Sequence, residues 1–414
     1  MSAAARSAGA PLRLSHSALE RGALWLLVFS GAFAIIEPSP YEVAFTAAAL
    51  VFACTGLKFD ALLAPLILGF ALFNLGGITS LIPWTDNRDS VTFVVITLYI
   101  TLTGVFYACI MLEEPLERLN TMRGAFVLAG VCASLAGILG YFDIAGLAEP
   151  FTKFNRATGT FKDPNVLGPF LVLPIVWLIQ SLMLGTSRGF FRTLLPLLVM
   201  LFALLLSFSR GAWGVAAGSV GLMVLLTFLT SRSSRLRMRI IGVGVLGFAA
   251  LAALLAIALS IPSIYEIFEQ RFSLQQDYDL GELGRFGAQL RSIPLLLERP
   301  LGFGPLQFRY VFFGEDPHNV FVNAFASYGW LGGFAYCVTI AMTLFIGWWL
   351  VVQRTALQPH AIALWSCLFI QILQGFQIDT DHWRHLYLFL GCVWGLAART
   401  RQMQAADAYL RTTA

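Results

Sequence analysis

The chain is a succession of apolar runs, each near the length needed to cross a bilayer and bounded by charges, prolines or glycines. Bounding them this way predicts helices at 22–36, 41–57, 61–82, 91–112, 123–142, 164–184, 193–208, 212–230, 240–261, 319–351, 361–378 and 384–398. At about 20 residues per crossing, twelve such runs consume most of the 414 residues and leave no room for a separate soluble domain. The expected fold is an all-α membrane protein of about twelve transmembrane helices, one polytopic domain over 1–414, with both termini on one side. Composition excludes a water-soluble alternative, because 58% apolar and 12% charged residues cannot clothe a protein of this size in polar surface. The first apolar run has no A-x-A-like cleavage pattern after it and reads as an uncleaved helix. The 319–351 run is long enough for its first turn to lie in a loop.

Basic residues orient the helices. Arg118, Arg123, Arg188, Arg192, the run from Arg232 to Arg239, Arg354, Arg399 and Arg401 all fall on the side of the N-terminus, which makes that face cytoplasmic. The outer face receives 37–40, 83–90, 143–163, 209–211, 262–318 and 379–383, of which 262–318 is the longest polar stretch. The six cysteines lie inside apolar runs without paired spacing and read as core residues. There is no internal repeat and no heptad array.

Topology does not account for the outer face. It carries Lys153, Arg156, Lys162, Arg210, Arg271, Arg285, Arg291, Arg299, Arg309 and Arg384, where the positive-inside bias favours few cations. Arg210 has apolar runs on both sides and almost no loop between them. Held at membrane depth, an arginine costs about 2.5–3.5 kcal/mol on insertion scales. It either snorkels or caps a helix, or it faces a polar cavity and binds an anion, with Ser207, Ser209 and Gly211 beside it.

Three further segments bear chemistry on the same face. Lys153 to Asn165 leads into an apolar helix through Asp163-Pro164, an N-cap followed by Pro at the first helical position, so a helix N-terminus with Arg156 and Lys162 can receive an anion. The same residues also read simply as a helix start with interfacial cations. His318, followed by Asn319, closes the longest outer loop; its imidazole is either structural or placed to take a proton from a hydroxyl. The last loop holds Asp379, Asp381, His382 and His385. Asp381 with His382 resembles half a metal site, but no further ligands complete it, and no metal is expected. Gly302 and Gly304 do not follow a strand, which argues against a nucleotide fold.

In order along the chain, Arg156 with Gly159-Thr160-Phe161-Lys162-Asp163-Pro164-Asn165, Ser209-Arg210-Gly211-Ala212, Arg299-Pro300-Leu301-Gly302-Phe303-Gly304, Pro317-His318-Asn319 and Tyr328-Gly329-Trp330-Leu331-Gly332 resemble the O-antigen ligase and Wzy-type polymerase superfamily of bacterial membrane glycosyltransferases. The resemblance spans about 150–350, including the loop 262–318. It implies a GT-C-like enzyme of the bacterial inner membrane that moves a glycan from undecaprenyl pyrophosphate to an acceptor sugar hydroxyl, in a ligase that of the lipid A core, at the periplasmic face. Neither metal nor other cofactor is implied, and no nucleic acid partner. Carried over by motif, Arg210 and Arg285 bind the pyrophosphate, with Arg291 an alternative to Arg285. Arg156 assists, His318 orients or deprotonates the acceptor, and Lys162, Asn165, Asn319 and Asp381 line the substrate. The other readings are a Wzy-type polymerase, a protein O-oligosaccharyltransferase, or a transporter without covalent chemistry; a transporter would be expected to show paired repeats and polar groups near the midplane.

Overall fold

The structure, a computed structural model, describes residues 16–36, 38–187, 189–272, 284–312 and 314–413. Sixteen α-helices follow one another: α1 His16–Ser30, α2 Pro40–Thr55, α3 Ala64–Leu81, α4 Arg88–Ile110, α5 Pro115–Tyr141, α6 Ala148–Phe151, α7 Pro164–Leu184, α8 Phe190–Leu206, α9 Arg210–Thr230, α10 Ser234–Leu259, α11 Pro262–Phe272, α12 Arg285–Leu297, α13 Phe308–Val311, α14 Val320–Val352, α15 Gln358–Gln374 and α16 Arg384–Thr413. Every one of the twelve predicted runs falls on a helix. Among the described residues, seven helices are long and apolar enough to cross a membrane: α3 (with its flanking turns), α4, α5, α7, α9, α10 and α14; α2 and α8 are shorter apolar helices. The protein is therefore an all-α membrane protein.

Several boundaries move, each for a local reason. The first run, expected at 22–36, is helical only to Ser30. Beyond it the backbone leaves the helix to pair with the 158–161 segment, Ala34 N donating to Thr160 O at 2.9 Å and the Thr160 hydroxyl to Ala32 O. α5 starts eight residues early, on Pro115 at its first turn. α16 runs on to Thr413 because its tail is rich in Ala, Gln, Arg and Leu, good helix formers whatever their polarity. The β-structure among the described residues is one hairpin, β1 Thr152–Lys153 against β2 Arg156–Ala157. Its turn residues Phe154 and Asn155 both have positive φ, +53° and +56°, as a two-residue type I′ turn requires.

The main core is an apolar cluster built by α3 against α14, α4 against α16, α9 against α7 and α15, and α5 against α1 and α8, and a smaller one gathers Leu296, Phe303, Phe308, Phe312 and Ala326. Glycines set the closest approaches. A Cβ at Gly76 of α3 would lie 2.4 Å from the backbone N of Gly332 in α14, and one at Gly391 of α16 would lie 2.2 Å from the Gly104 carbonyl in α4. α10 is the opposite case: only Ile240 and Ala258 are buried, while Phe248 and Leu246 are exposed. Such an apolar surface is stable against hydrocarbon and not against water.

The segment 262–318, expected as one outer loop, holds helices among its described residues. Of it, α11, α12 and α13 are helical, and the Arg299–Gly304 segment straps onto α14 where that helix breaks at Gly329, φ +65° and ψ −172°. Trp330 N donates to Pro300 O at 2.8 Å, and Phe303 N and Gly304 N both donate to Ala326 O, at 2.8 and 3.1 Å. From the other side Ser80 donates to Leu301 O, Trp84 Nε1 to Phe303 O and Ser90 to Pro305 O, tying the strap to α3 and α4.

Candidate functional site

α7 begins where the sequence placed it. Asp163 is its N-cap, accepting from Asn165 N at 2.7 Å, and Pro164 follows as the first residue. The hairpin just before it delivers Arg156 into the protein interior, 7% exposed. Arg156 Nε donates to Ser207 O at 2.8 Å, and Nη2 to Asn165 Oδ1 at 2.9 Å. The same Asn165 oxygen accepts from the Ser209 hydroxyl at 2.8 Å. Three sequence segments thus meet at one amide oxygen. Lys162, two residues before α7, is exposed.

Between α8 and α9 the chain turns sharply at Phe208, φ +44°, and Ser209 caps α9 by accepting from Ala212 N at 3.3 Å. Arg210 is the first residue of α9 and is half-buried. Its neighbour Gly211 lies against α15: a Cβ there would be 2.9 Å from Gln374 Nε2. Gln374 is buried, and its Oε1 accepts no hydrogen bond among the described residues. One residue on, the Gly375 carbonyl accepts from Val320 N, the first residue of α14, at 2.8 Å.

That contact leads to His318 and Asn319. Asn319 caps α14, its Oδ1 accepting from Phe321 N and Val322 N. Asp379 grips the same turn from the last loop, its two oxygens accepting from His318 N at 3.0 Å and Asn319 N at 3.1 Å. Gln289 of α12 closes the third side, Nε2 donating to Pro317 O and Oε1 accepting from Asn319 Nδ2. His318 is held at φ +49° with its side chain about one-third exposed, Nε2 3.7 Å from Glu315 Oε2. Burial raises the Asp379 carboxyl well above the usual carboxylate range, Asp381 and Asp316 push the same way, and the two backbone N–H groups oppose them.

Asp381 is deeper, 2% exposed. Its Oδ2 accepts from Tyr328 Oη at 3.1 Å and Asn323 Nδ2 at 3.2 Å, and Tyr328 Oη lies 2.9 Å from Thr97, which is also 2.9 Å from His382 Nε2. This carboxylate sits beneath the α14 break and ties it to α4. Arg384 pairs with Glu42, Nε at 3.0 Å and Nη2 at 2.6 Å from one oxygen, joining α16 to the capping box that starts α2. Arg309 pairs with Asp316. Arg291 is exposed on α12, and the Arg285 side chain lies outside the described residues, although its backbone opens α12.

One polar seam therefore runs across an end of the bundle: Arg156, Asn165, Ser209 and Arg210, then Gln374 and Gly375, then Asn319 and His318, then Asp379 and Asp381. Sequence reasoning named most of its members. It missed Gln289 and Gln374, and it ranked Asp379 behind Asp381. For Gln374 a signal existed, since Gln371 and Gln374 interrupt an apolar run at helical spacing, the mark of a polar helix face.

Fold and site together define a polytopic α-helical membrane protein with a polar seam joining the starts of α7, α9 and α14. Residues 195–337 match the family model described as O-antigen ligase, so the chain carries a domain of that family, in keeping with the resemblance in its motifs. The matched span holds Arg210, Arg285, Arg291, His318 and Asn319; Arg156, Lys162, Asn165 and Asp381 lie outside it. No curated protein matches the chain.

Proposed function

We propose that the protein is a periplasm-facing glycosyltransferase of O-antigen ligase type, moving a glycan from undecaprenyl pyrophosphate to a hydroxyl of the lipid A core. The observation that carries this reading is the continuity of the seam: Gly211, next to Arg210 at the start of α9, lies against Gln374, and the following Gly375 carbonyl accepts from Val320 N, two residues after His318. An anion-binding helix N-terminus and a base are what such a transfer needs side by side. The acceptor oxygen bonds to the sugar C1 as the bond from C1 to the pyrophosphate oxygen breaks. The acceptor proton passes to His318, and the lipid pyrophosphate leaves with its charge matched by Arg210 and Arg285, or Arg291 in its place. Arg156 holds Ser207 and Asn165, so it shapes the start of α9, while Lys162 offers a surface cation to the approaching donor. Asn319 fixes the His318 turn, and Asp381 supports it from below through α14. On this reading the chain crosses the membrane twelve times with both termini in the cytoplasm, and all these groups face the periplasm.

Purified protein given lipid-linked glycan donor, with lipid A core in one reaction and donor alone in another, tests the reading. Product in the first only is expected. Longer lipid-linked chains in the second would make the protein a polymerase, and movement of donor across proteoliposomes without any product would overturn the enzyme. Arg210→Ala should abolish transfer while membrane insertion is kept.

A further inference from the structure

The end of the bundle opposite the seam is dense with ion pairs, and one cavity there is incompletely matched. It has a volume of about 410 Å³ and lies between the segment after α2, the α4–α5 turn and α16. Most of the charge around it is satisfied. Lys58 Nζ is 2.5 Å from Glu113 Oε1, Arg118 pairs with Glu20 at 3.0 Å, and Asp60 accepts from Gln402 Nε2 at 2.5 Å. Two wall residues are different. The Arg399 guanidinium, with five donors, makes a single long bond among the described residues, Nη1 to Gln402 Oε1 at 3.4 Å, and its Nε is buried without a partner. Glu114, exposed at the start of α5 with φ +43°, has no hydrogen bond or ion pair to its carboxylate among the described residues.

We propose that this cavity binds a phosphoethanolamine group, with the phosphate on Arg399 and the ammonium on Glu114. A simple anion would meet Glu113 and Glu114 as well as Arg399, and a simple cation would meet Lys58 and Arg399. A zwitterion several ångströms long matches one unspent charge of each sign and leaves the existing pairs intact. The volume is within the range of small-ligand sites. Position supplies the source. Leu112 ends the apolar stretch of α4, Phe59 is 67% exposed just past α2, and Arg399 follows the buried apolar run of α16, so the cavity opens at the level where lipid headgroups begin. The geometry points to a phosphatidylethanolamine headgroup with its acyl chains beside Phe59.

Native mass spectrometry of the full chain, exchanged into mixtures of phosphatidylethanolamine and phosphatidylcholine with the same acyl chains, reads the preference. The two lipids share the phosphate, but the trimethylammonium of the second cannot donate to Glu114, so an ethanolamine preference of about tenfold is expected, the worth of one charge-assisted hydrogen bond. Arg399→Gln should lose retention of both lipids. Glu114→Gln, at an exposed position where misfolding is not expected, should bring the preference to near unity while retention of phosphatidylcholine persists. Equal retention of the two lipids by the natural chain, or a preference untouched by Glu114→Gln, would overturn the proposal. Soluble phosphoethanolamine that displaces the bound lipid at millimolar concentration supports the headgroup chemistry; if it binds equally well with no lipid present, the assignment to a lipid is overturned and a soluble zwitterion takes its place.

Discussion

At the scale of single residues, Arg156 shows what one planar side chain does that no other can. Its Nε and Nη2 donate in two directions, to a main-chain carbonyl at the α8–α9 turn and to the side chain that starts α7. Lysine has the charge but a single nitrogen, and it cannot span both acceptors. Arg156→Lys should therefore lose one of two charge-assisted bonds, worth about 1.5–3 kcal/mol, and lower the thermal midpoint in detergent; an unchanged midpoint would show that the two bonds add nothing. Asp379 makes a prediction about pH. Its folded-state pKa is raised, so between the ordinary carboxylate value, about 4, and the raised value the folded protein holds a proton that the unfolded chain has lost. Stability contributed in that window is greatest at the acid end and falls as pH rises. Replacing it by Asp379→Asn should flatten that decline, read as the thermal midpoint across about pH 4 to 8. Arginines on the wrong face and a lone histidine at a loop end were legible in the sequence, because charge and topology are one-dimensional properties. Asp379 was not distinguishable from Asp381, since only the fold decides which of two carboxylates, two residues apart, turns toward the His318 backbone and which toward Tyr328.

At the scale of elements, the motif glycines turn out to be joints. Gly302, φ +72°, would place a Cβ 2.5 Å from two α14 carbonyls, and Gly329, φ +65°, would place one 2.6 Å from Pro300 O. The strap and the break in α14 are thus halves of one contact, and the resemblance in both motifs reflects a shared backbone path. The Gly329 dihedrals lie in a region open essentially to glycine alone. Gly329→Ala should cost at least about 1–3 kcal/mol and loosen the strap, seen as faster proteolysis between 299 and 305. Gly214 of α9, helical and with nothing within 4 Å of a Cβ, is the control: Gly214→Ala should be neutral or stabilising by up to about 1 kcal/mol. Apolar runs announced the long helices because a bilayer demands them, and Asp163-Pro164 announced the start of α7. The Phe154-Asn155 turn was silent, as neither residue is the glycine that usually marks φ above zero.

At the scale of the whole molecule, ion pairs lie at both ends of the bundle. At one end Arg21 pairs with Glu117, Lys58 with Glu113 and Arg118 with Glu20, cation against carboxylate. At the other, Arg384 pairs with Glu42 and Arg309 with Asp316, Arg156 donates to a carbonyl and an amide, and α7, α9 and α14 present their N-termini. Asp163 at the start of α7 and Asp379 at the start of α14 set carboxylates against two of these partial positive charges, and α9 starts on Ser209 and Arg210. The proposed topology can be measured. Lys153, exposed on the hairpin turn, and Arg291, exposed on α12, belong to the seam end, whereas Glu114 and Arg354 belong to the opposite end. Single cysteines at 153, 291, 114 and 354, introduced after the six native cysteines are replaced by serine or alanine, should divide into two pairs toward a membrane-impermeant maleimide applied to intact spheroplasts. Positions 153 and 291 should label, and 114 and 354 should label only after lysis. Labelling of 153 without 291 would separate the hairpin from the outer loop and dissolve the seam. Labelling of 114 and 354 in place of the other pair would invert the protein, and the positive-inside reading of Arg232 to Arg239 would fall with it.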